Sequence, residues 1–336
     1  MQPTLAKDLV TTPKMIRKAS IIRNLYNVRC LRVATRLFSG ASPSFHMKLT
    51  STSPDEISHF NALASSWWDV NGPQRILHKM NMLRMDFISS TVQKHVQLNK
   101  KGTPIEEEVY IPPYSLDLLP KPIRSRIVED QEIRRQEILT KSKVRVLDVG
   151  CGGGILAESM ARLNFVASVL GIDLSGDVLE AAKLHKAKDP TFNDTNLNYS
   201  LCAIEELPEG EKYDIVTMFE MLEHVDYPAK VLLEAMKRVE DDGWIFISTI
   251  NRDFVSWFTT IFLGEHVLGI VPTGTHTLDK YINQLEIREW LDENGADFEI
   301  VDAKGCLYIP AYGWEFTNSP DVGNYFMAIR KISSTQ

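Results

Sequence analysis

Two groups of residues in this 336-residue chain have types and spacing suited to chemistry. The first is Glu220, Glu223 and His224, which helical spacing of i, i+3 and i+4 would set on one face. Two carboxylates beside an imidazole suit a divalent cation. They equally suit a base that takes the proton from an acceptor hydroxyl, with His224 the group whose ordinary pKa fits the task. A plain packing role for Leu222-Glu-His-Val225 is the alternative. The second group is Asp148-x-Gly150-x-Gly152-x-Gly154, whose glycines allow a tight turn and a close approach of backbone to ligand.

Val144, Val146, Leu147 and Val149 before that turn read as a buried parallel strand. Ile155, Leu156, Ser159, Met160 and Leu163 after it share one helical side. Strand, glycine turn and helix form the first unit of a nucleotide-binding α/β domain. A dinucleotide fingerprint started at Gly150 fails, because its third glycine falls on Ile155. The relaxed form Gly152-x-Gly154-x-x-Ala157 fits, so pattern alone leaves a dinucleotide open. The acids Asp148 and Glu158 argue otherwise, since a pyrophosphate at a helix N-terminus is poorly served by acidic neighbours. S-adenosylmethionine has a sulfonium, an ammonium and no phosphate, and the same acids attract it. Asp173 ends the next apolar run, nineteen residues after Gly154, where a carboxylate meets ribose hydroxyls. Its competing role is the N-cap of a helix over 176–188.

The elements that must position these residues continue the α/β alternation. Strands are expected over 168–173, 197–202, 213–219 and 244–250, with helices over 176–188, 228–239 and 285–294. Residues 297–303 and 323–331 read as a closing antiparallel pair. The expected fold is a Rossmann-like, mostly parallel seven-stranded sheet with helices on both faces. Ligands bind beyond the carboxyl ends of such strands. That brings the end of the fourth strand, at Phe219, to the glycine turn, and puts Ile204-Glu-Glu-Leu207 where an adenine would lie.

Residues 49–143 precede the domain of 144–336. Ser53-Pro-Asp-Glu56 caps a helix whose face is Ile57, Phe60, Leu63 and Ala64. Trp67-Trp68-Asp69 and a turn at Asn71-Gly-Pro73 lead to a second helix with Ile76, Met80, Leu83 and Phe87. Paired tryptophans are usually core. A helix in this place also covers the nucleotide pocket, where Arg84 could meet a carboxylate of the cofactor in bidentate fashion. Residues 93–143 read as an exposed, proline- and charge-rich insertion ending in a helix from Ile127 to Leu139. After the fifth strand, residues 252–277 are unusually apolar. They read either as a core helix or as a lid for a lipid-like substrate that dips into a membrane surface.

Composition (44% hydrophobic, 24% charged) is that of a chain able to bury a core. Residues 1–48 hold nine Lys and Arg against Asp8 alone. From residue 49 onward 28 basic residues face 43 acidic ones, a net charge of −15. The first segment reads as an acid-poor, amphipathic mitochondrial transit peptide. A basic nucleic-acid arm is the alternative, but nothing downstream continues such a surface. The four cysteines, at 30, 151, 202 and 306, have no metal spacing and suggest no disulfide framework. No run of eighteen apolar residues is present.

Taken together, several stretches resemble the ubiquinone-biosynthesis O-methyltransferase family. They are Leu147-Asp-Val-Gly-Cys-Gly-Gly-Gly154, Met221-Leu-Glu-His-Val225, Asn251-Arg252, Val271-Pro-Thr-Gly-Thr-His276, Trp67-Trp68-Asp69 and Asn81-Met-Leu-Arg84. The resemblance spans roughly 55–92 and 144–331. It implies a class I fold that methylates catechol hydroxyls of polyprenylated ring intermediates. It also implies cofactor contacts at Arg84, Gly150, Gly152, Asp173 and Phe219, to which the charge argument adds Asp148. Phe219 stands where bacterial members commonly have Met, which turns the expected contact to its backbone. The resemblance further implies a magnesium-type site at Glu220, Glu223 and His224, with Glu223 and His224 in the chemistry. Eukaryotic members are similar in having a presequence, and work in a matrix-side complex with other ubiquinone-biosynthesis proteins, peripheral on the inner membrane. A methyltransferase for another small catechol and a non-catalytic cofactor-binding subunit are the other readings.

Overall fold

The computed structural model describes residues 52, 54–99, 110–257, 278–309 and 312–332. The chain divides into residues 1–46 and 47–336, and every described residue belongs to the second unit. The expected presequence, residues 100–109 of the insertion and residues 258–277 of the apolar stretch over 252–277, including Val271–His276, lie outside the described residues.

Apolar runs that are buried on both faces become the middle of one sheet. Strands β1 (Val144–Val149), β2 (Val166–Asp173), β3 (Leu197–Leu201), β4 (Tyr213–Phe219) and β5 (Val239–Ile250) pair in parallel in the order β3-β2-β1-β4-β5. Beyond β5 lie β8 (Asn324–Lys331), β6 (Phe298–Ile309) and β7 (Gly313–Thr317), joined by antiparallel ladders. The expected antiparallel pair is therefore present, but among the described residues the sheet has eight strands where seven were expected. The eighth, β7, is a five-residue edge hairpin with only Trp314 and Phe316 packed inward, too short an alternation to stand out.

Alternation decides which residues enter which layer. Val144 and Val146 of β1 and Phe326 and Ala328 of β8 point into one core. Leu147 and Val149 of β1 and Tyr325, Met327 and Ile329 of β8 point into the other. Helices α2 (Arg75–Lys94), α4 (Ile155–Ala161) and α5 (Gly176–Lys186) cover the first face through Phe87, Met160 and Leu179. Helices α6 (Pro228–Lys237) and α8 (Gln284–Asn294) cover the second through Val231 and Ile287. Helix α3 (Lys121–Ser142) is longer than expected and lodges Ile138 and Leu139 in the interior, so the insertion ends as a packed element. The N-terminal α1 (Pro54–Leu63) lays Phe60 and Leu63 against Trp67, Ile155 and Val178. A one-turn α7 (Phe254–Ser256) follows β5. Strand order reverses between β1 and β4, and the carboxyl ends of these two strands open the crevice that binds ligands in such sheets.

Candidate active site

The glycine turn after β1 is left-handed at three places, with φ of 70° at Gly150, 54° at Gly152 and 83° at Gly154. Side chains rarely adopt these angles, which accounts for the glycine spacing. Asp173, at the end of β2, fastens the turn. Its carboxylate accepts from the Gly152 N–H and the Ser175 N–H, both at 2.9 Å. Burial raises its pKa, opposed by hydrogen bonds from the backbone of Ser175, Gly152 and Leu174. The helix cap is Ser175, whose hydroxyl accepts from Val178 N, so Asp173 is left lining the pocket.

Trp67 covers this turn. A Cβ on Gly152 would stand 2.5 Å from Trp67 Cζ2, and one on Gly153 would collide with Cδ1. The indole therefore rests on bare backbone, and it too lines the pocket.

Helical spacing carries Arg84 inward with Met80 and Phe87 on the buried stripe of α2. Its guanidinium lies 5.4 Å from the Phe219 ring centroid, and one NH2 group is 3.7 Å from Met80 Sδ. Nε has no hydrogen-bond partner, and no ion pair forms with a described carboxylate. Asp148 is likewise half satisfied: Oδ1 accepts from Thr217 Oγ1 at 2.7 Å while Oδ2 has no partner. Burial pushes its pKa up to about 6, with Thr217 and Arg84 opposing. A buried guanidinium and a buried carboxylate in one pocket, each with one atom left unpartnered among the described residues, suit a zwitterion, which offers an anion to the first and a cation to the second. The α-amino acid end of S-adenosylmethionine fits. Of the stretch Ile204–Leu207, where adenine was expected, Ile204 lines the same pocket, joined by Cys202 and Ala203 before it.

Glu158 departs from expectation. It is 2% exposed, buried against His185 and away from the pocket lining, so it is not one of the acids facing a ligand.

Glu220, Glu223 and His224 also need correction. Past β4 the chain does not run on as a helix. Glu220 adopts φ 52°, and only Leu222–His224 form a single 3-10 turn. Each of the three side chains bonds to a different partner. Glu220 Oε1 accepts from Ser248 Oγ at 2.7 Å, and Glu223 Oε2 accepts from Thr249 Oγ1 at 2.9 Å. His224 Nδ1 is 3.1 Å from Glu56 Oε2. Among the described residues no group of three His, Cys, Asp or Glu could hold a metal ion. The donors present thus do not fit the expected Mg2+ as arranged. Burial raises Glu223 to about 7, helped by Glu220. Burial opposes the charge on His224 but is outweighed by the Glu56 hydrogen bond and the nearby charges of Glu223, Glu56 and Glu220, which raise its pKa. Glu220 and His224 line the pocket, whereas Glu223 sits behind them.

Residues 119–302 match the family model of a methyltransferase domain. The chain is 63% identical to the mitochondrial ubiquinone biosynthesis O-methyltransferase of Candida albicans, over 95% of this chain and 96% of that one. The chain belongs to the ubiquinone biosynthesis O-methyltransferase family. The relative of that name in Saccharomyces cerevisiae is 46% identical over 85% of this chain and 90% of its own. That in Hydrogenovibrio crunogenus is 36% identical over 83% and 93%. Among solved structures it is similar to magnesium protoporphyrin IX methyltransferase from Synechocystis with bound SAM, at 15% identity and a TM-score of 0.45, over 84% of this chain and 100% of that one. This O-methyltransferase family member is an S-adenosylmethionine-dependent enzyme with a class I fold.

Sequence reasoning missed two residues of this methyltransferase. Glu56 read as part of a helix cap, yet it holds His224 Nδ1 with one oxygen and Lys280 Nζ, at 2.8 Å, with the other. Lys280 lies in a short turn, Leu278–Lys280, after residues 258–277. Both partners are remote in sequence, and the acid-rich start of α1 was the only signal.

Proposed function

We propose that this enzyme moves a methyl group from S-adenosylmethionine to a ring hydroxyl of polyprenylated catechols and quinols in ubiquinone biosynthesis. The acceptors are 3,4-dihydroxy-5-polyprenylbenzoate and demethylubiquinol. The observation that carries this reading is one pocket lined by two unmatched charges, Arg84 and Asp148, and by His224. The donor supplies an electrophilic methyl on a sulfonium. Arg84 holds its carboxylate, Asp148 its ammonium, the turn at Gly150 and Gly152 with Asp173 its ribose, and the Phe219 backbone borders it. Glu56 engages Nδ1 of His224, which leaves Nε2 to take the acceptor proton as the hydroxyl attacks in line. Trp67 shields the donor from water. Glu220 and Glu223 set the negative field that keeps a proton on His224 once it has been taken.

The expectation of Mg2+ is not carried into these steps, because Glu220, Glu223 and His224 are turned to Ser248, Thr249 and Glu56. Assay after chelation, with and without added Mg2+, tests it directly.

A mitochondrial setting is supported by the names of the Candida and Saccharomyces relatives. Peripheral contact with the matrix side of the inner membrane is supported by Phe254 and Trp257, which are 73% and 38% exposed where the apolar lid begins. Exposed Tyr110, Ile111, Tyr114, Leu118 and Ile123 offer apolar surface for other ubiquinone-biosynthesis proteins in a complex. The decisive assay follows radiolabelled methyl from S-adenosylmethionine onto a prenylated catechol. Transfer to soluble catechols alone would leave a methyltransferase of another pathway. Cofactor binding without transfer to either would leave a non-catalytic subunit.

A further inference from the structure

Trp68 stands behind Trp67, outside the pocket lining, and four parts of the fold converge on it. Its Nε1–H donates to the Gly153 carbonyl at 2.9 Å, which ties it to the glycine turn. Its ring lies flat on the imidazole of His185 in α5, with centroids 3.4 Å apart and planes 2° apart. His185 Nδ1 in turn lies 2.9 and 3.0 Å from the two carboxylate oxygens of Glu158 in α4. His78 of α2 meets the edge of the Trp68 ring at 5.6 Å, and its Nε2 donates to the Trp67 carbonyl at 2.9 Å.

A carboxylate–imidazole pair that only joined α4 to α5 would need nothing on the open face of its ring. Here that face carries an indole, and the same indole bonds the backbone of the cofactor turn. Glu158 bonds to His185, His185 stacks on Trp68, and Trp68 is bonded in sequence to Trp67, whose indole rests on Gly152 and Gly153. Neither Glu158 nor His185 lines the pocket, so both act through the tryptophans.

We propose that Glu158, His185 and Trp68 form a positioning clamp that seats Trp67 as the roof of the cofactor pocket, and that this clamp sets how tightly the methyl donor is held. The proposal rests on assigning the pocket to S-adenosylmethionine. The reaction centre at His224 lies outside the clamp, so the clamp governs donor affinity and not the transfer step.

The test uses the full chain, with calorimetry of S-adenosylhomocysteine binding and steady-state kinetics in both substrates. Trp68→Ala is expected to raise the S-adenosylmethionine KM and the S-adenosylhomocysteine Kd about tenfold, with kcat at saturation within about threefold and the acceptor KM unmoved. His185→Ala should move the same constants in the same direction. His185→Phe keeps a flat ring under Trp68 and should restore part of the loss. Where Trp68→Ala does not fold, Trp68→Phe removes the bond to Gly153 and part of the stack on His185 while keeping an aromatic ring, and should raise the same Kd by a smaller factor. A lowered melting temperature with donor Kd unchanged would overturn the clamp, as would a fall in kcat with donor KM intact. Asp173→Ala separates this from failure of the pocket assignment. If Asp173→Ala abolishes binding while Trp68→Ala and Trp68→Phe bind normally, the clamp alone is wrong. If Asp173→Ala binds normally too, the pocket assignment falls with it.

Discussion

Glu56 Oε2 and His224 Nδ1 stand 3.1 Å apart across 168 residues of sequence. The first helix of the described chain thereby orients the imidazole at the end of β4. The other Glu56 oxygen meets Lys280, so one carboxylate joins α1, the histidine and the segment that follows the lid. The pair leaves its mark on Glu56, whose pKa falls to about 2, chiefly through the His224 hydrogen bond. His224 is therefore aimed by a residue outside the sheet and its crossover helices.

Glu56→Gln keeps the size of this side chain and removes its charge. Turnover at saturating substrates should fall about tenfold, with the donor KM nearly unchanged, because a mis-aimed base affects the transition state and not donor binding. Steady-state kinetics with each substrate varied decide it. Unchanged kcat would reduce Glu56 to a strut for α1.

In the proposed donor site, Asp148 should make donor binding depend on pH. Its folded pKa is about 6 against an ordinary 3.8. The folded state thus holds the proton more tightly than the unfolded one. The stability this group contributes is complete below 3.8 and is lost as pH rises through about 6. A bound ammonium favours the carboxylate, so binding expels the proton and affinity should climb from about pH 5 to about pH 7, by at most about tenfold per unit. Calorimetric titration of S-adenosylhomocysteine across that range checks this. Asp148→Asn should flatten the profile, and a flat wild-type profile would remove Asp148 from the donor site.

The parts of this fold written in local pattern were legible: the parallel strands, the glycine turn and Asp173 all follow from short-range periodicity and φ requirements. Arg84 was legible because helical spacing put a charge on an apolar stripe. What failed rests on direction or distance. Glu220, Glu223 and His224 share a face only in a helix, and the left-handed backbone at Glu220 breaks that spacing, leaving each side chain bonded to its own partner. Glu158 read as a ligand for a cation because it opens a helix near the glycines. Its orientation toward His185 depends on α5, which sequence spacing cannot supply.

Gly153 has no left-handed angle to explain it, since the positive-φ glycines of this turn are Gly150, Gly152 and Gly154. Its need for no side chain comes from Trp67. Gly153→Ala should therefore cost about 1–3 kcal/mol by overpacking, while Trp67→Ala should cost about 3–5 kcal/mol through the cavity it leaves. With the collision removed, the double variant should be more stable than the sum of the two by about 1–3 kcal/mol. Urea unfolding of the four proteins measures the coupling. Strict additivity would show that Gly153 answers to something other than the indole.

The apolar side chains of α7 and of Trp257 after it allow the proposed membrane contact to be tested. Asp253 fixes α7 by accepting from Ser256 N at 2.8 Å and Gly323 N at 2.9 Å, so Phe254 and Trp257 leave β5 in a set direction. Their rings are 5.7 Å apart and form one exposed apolar patch. A substrate with a long isoprenoid tail resides in the bilayer, and an enzyme that collects it gains by seating such a patch at the surface. Covering about 100 Å² of it would contribute about 2–3 kcal/mol, at roughly 25 cal/mol per Å². The net charge of −15 from residue 49 onward works against anionic lipid, so the attraction must be local and apolar. Phe254→Ser with Trp257→Ser should weaken flotation with neutral phosphatidylcholine vesicles and raise the KM for a long-tailed acceptor, while turnover of a short-tailed, soluble analogue survives. Equal loss on both acceptors, with early melting, would make these side chains part of the protein's packing and end the membrane reading.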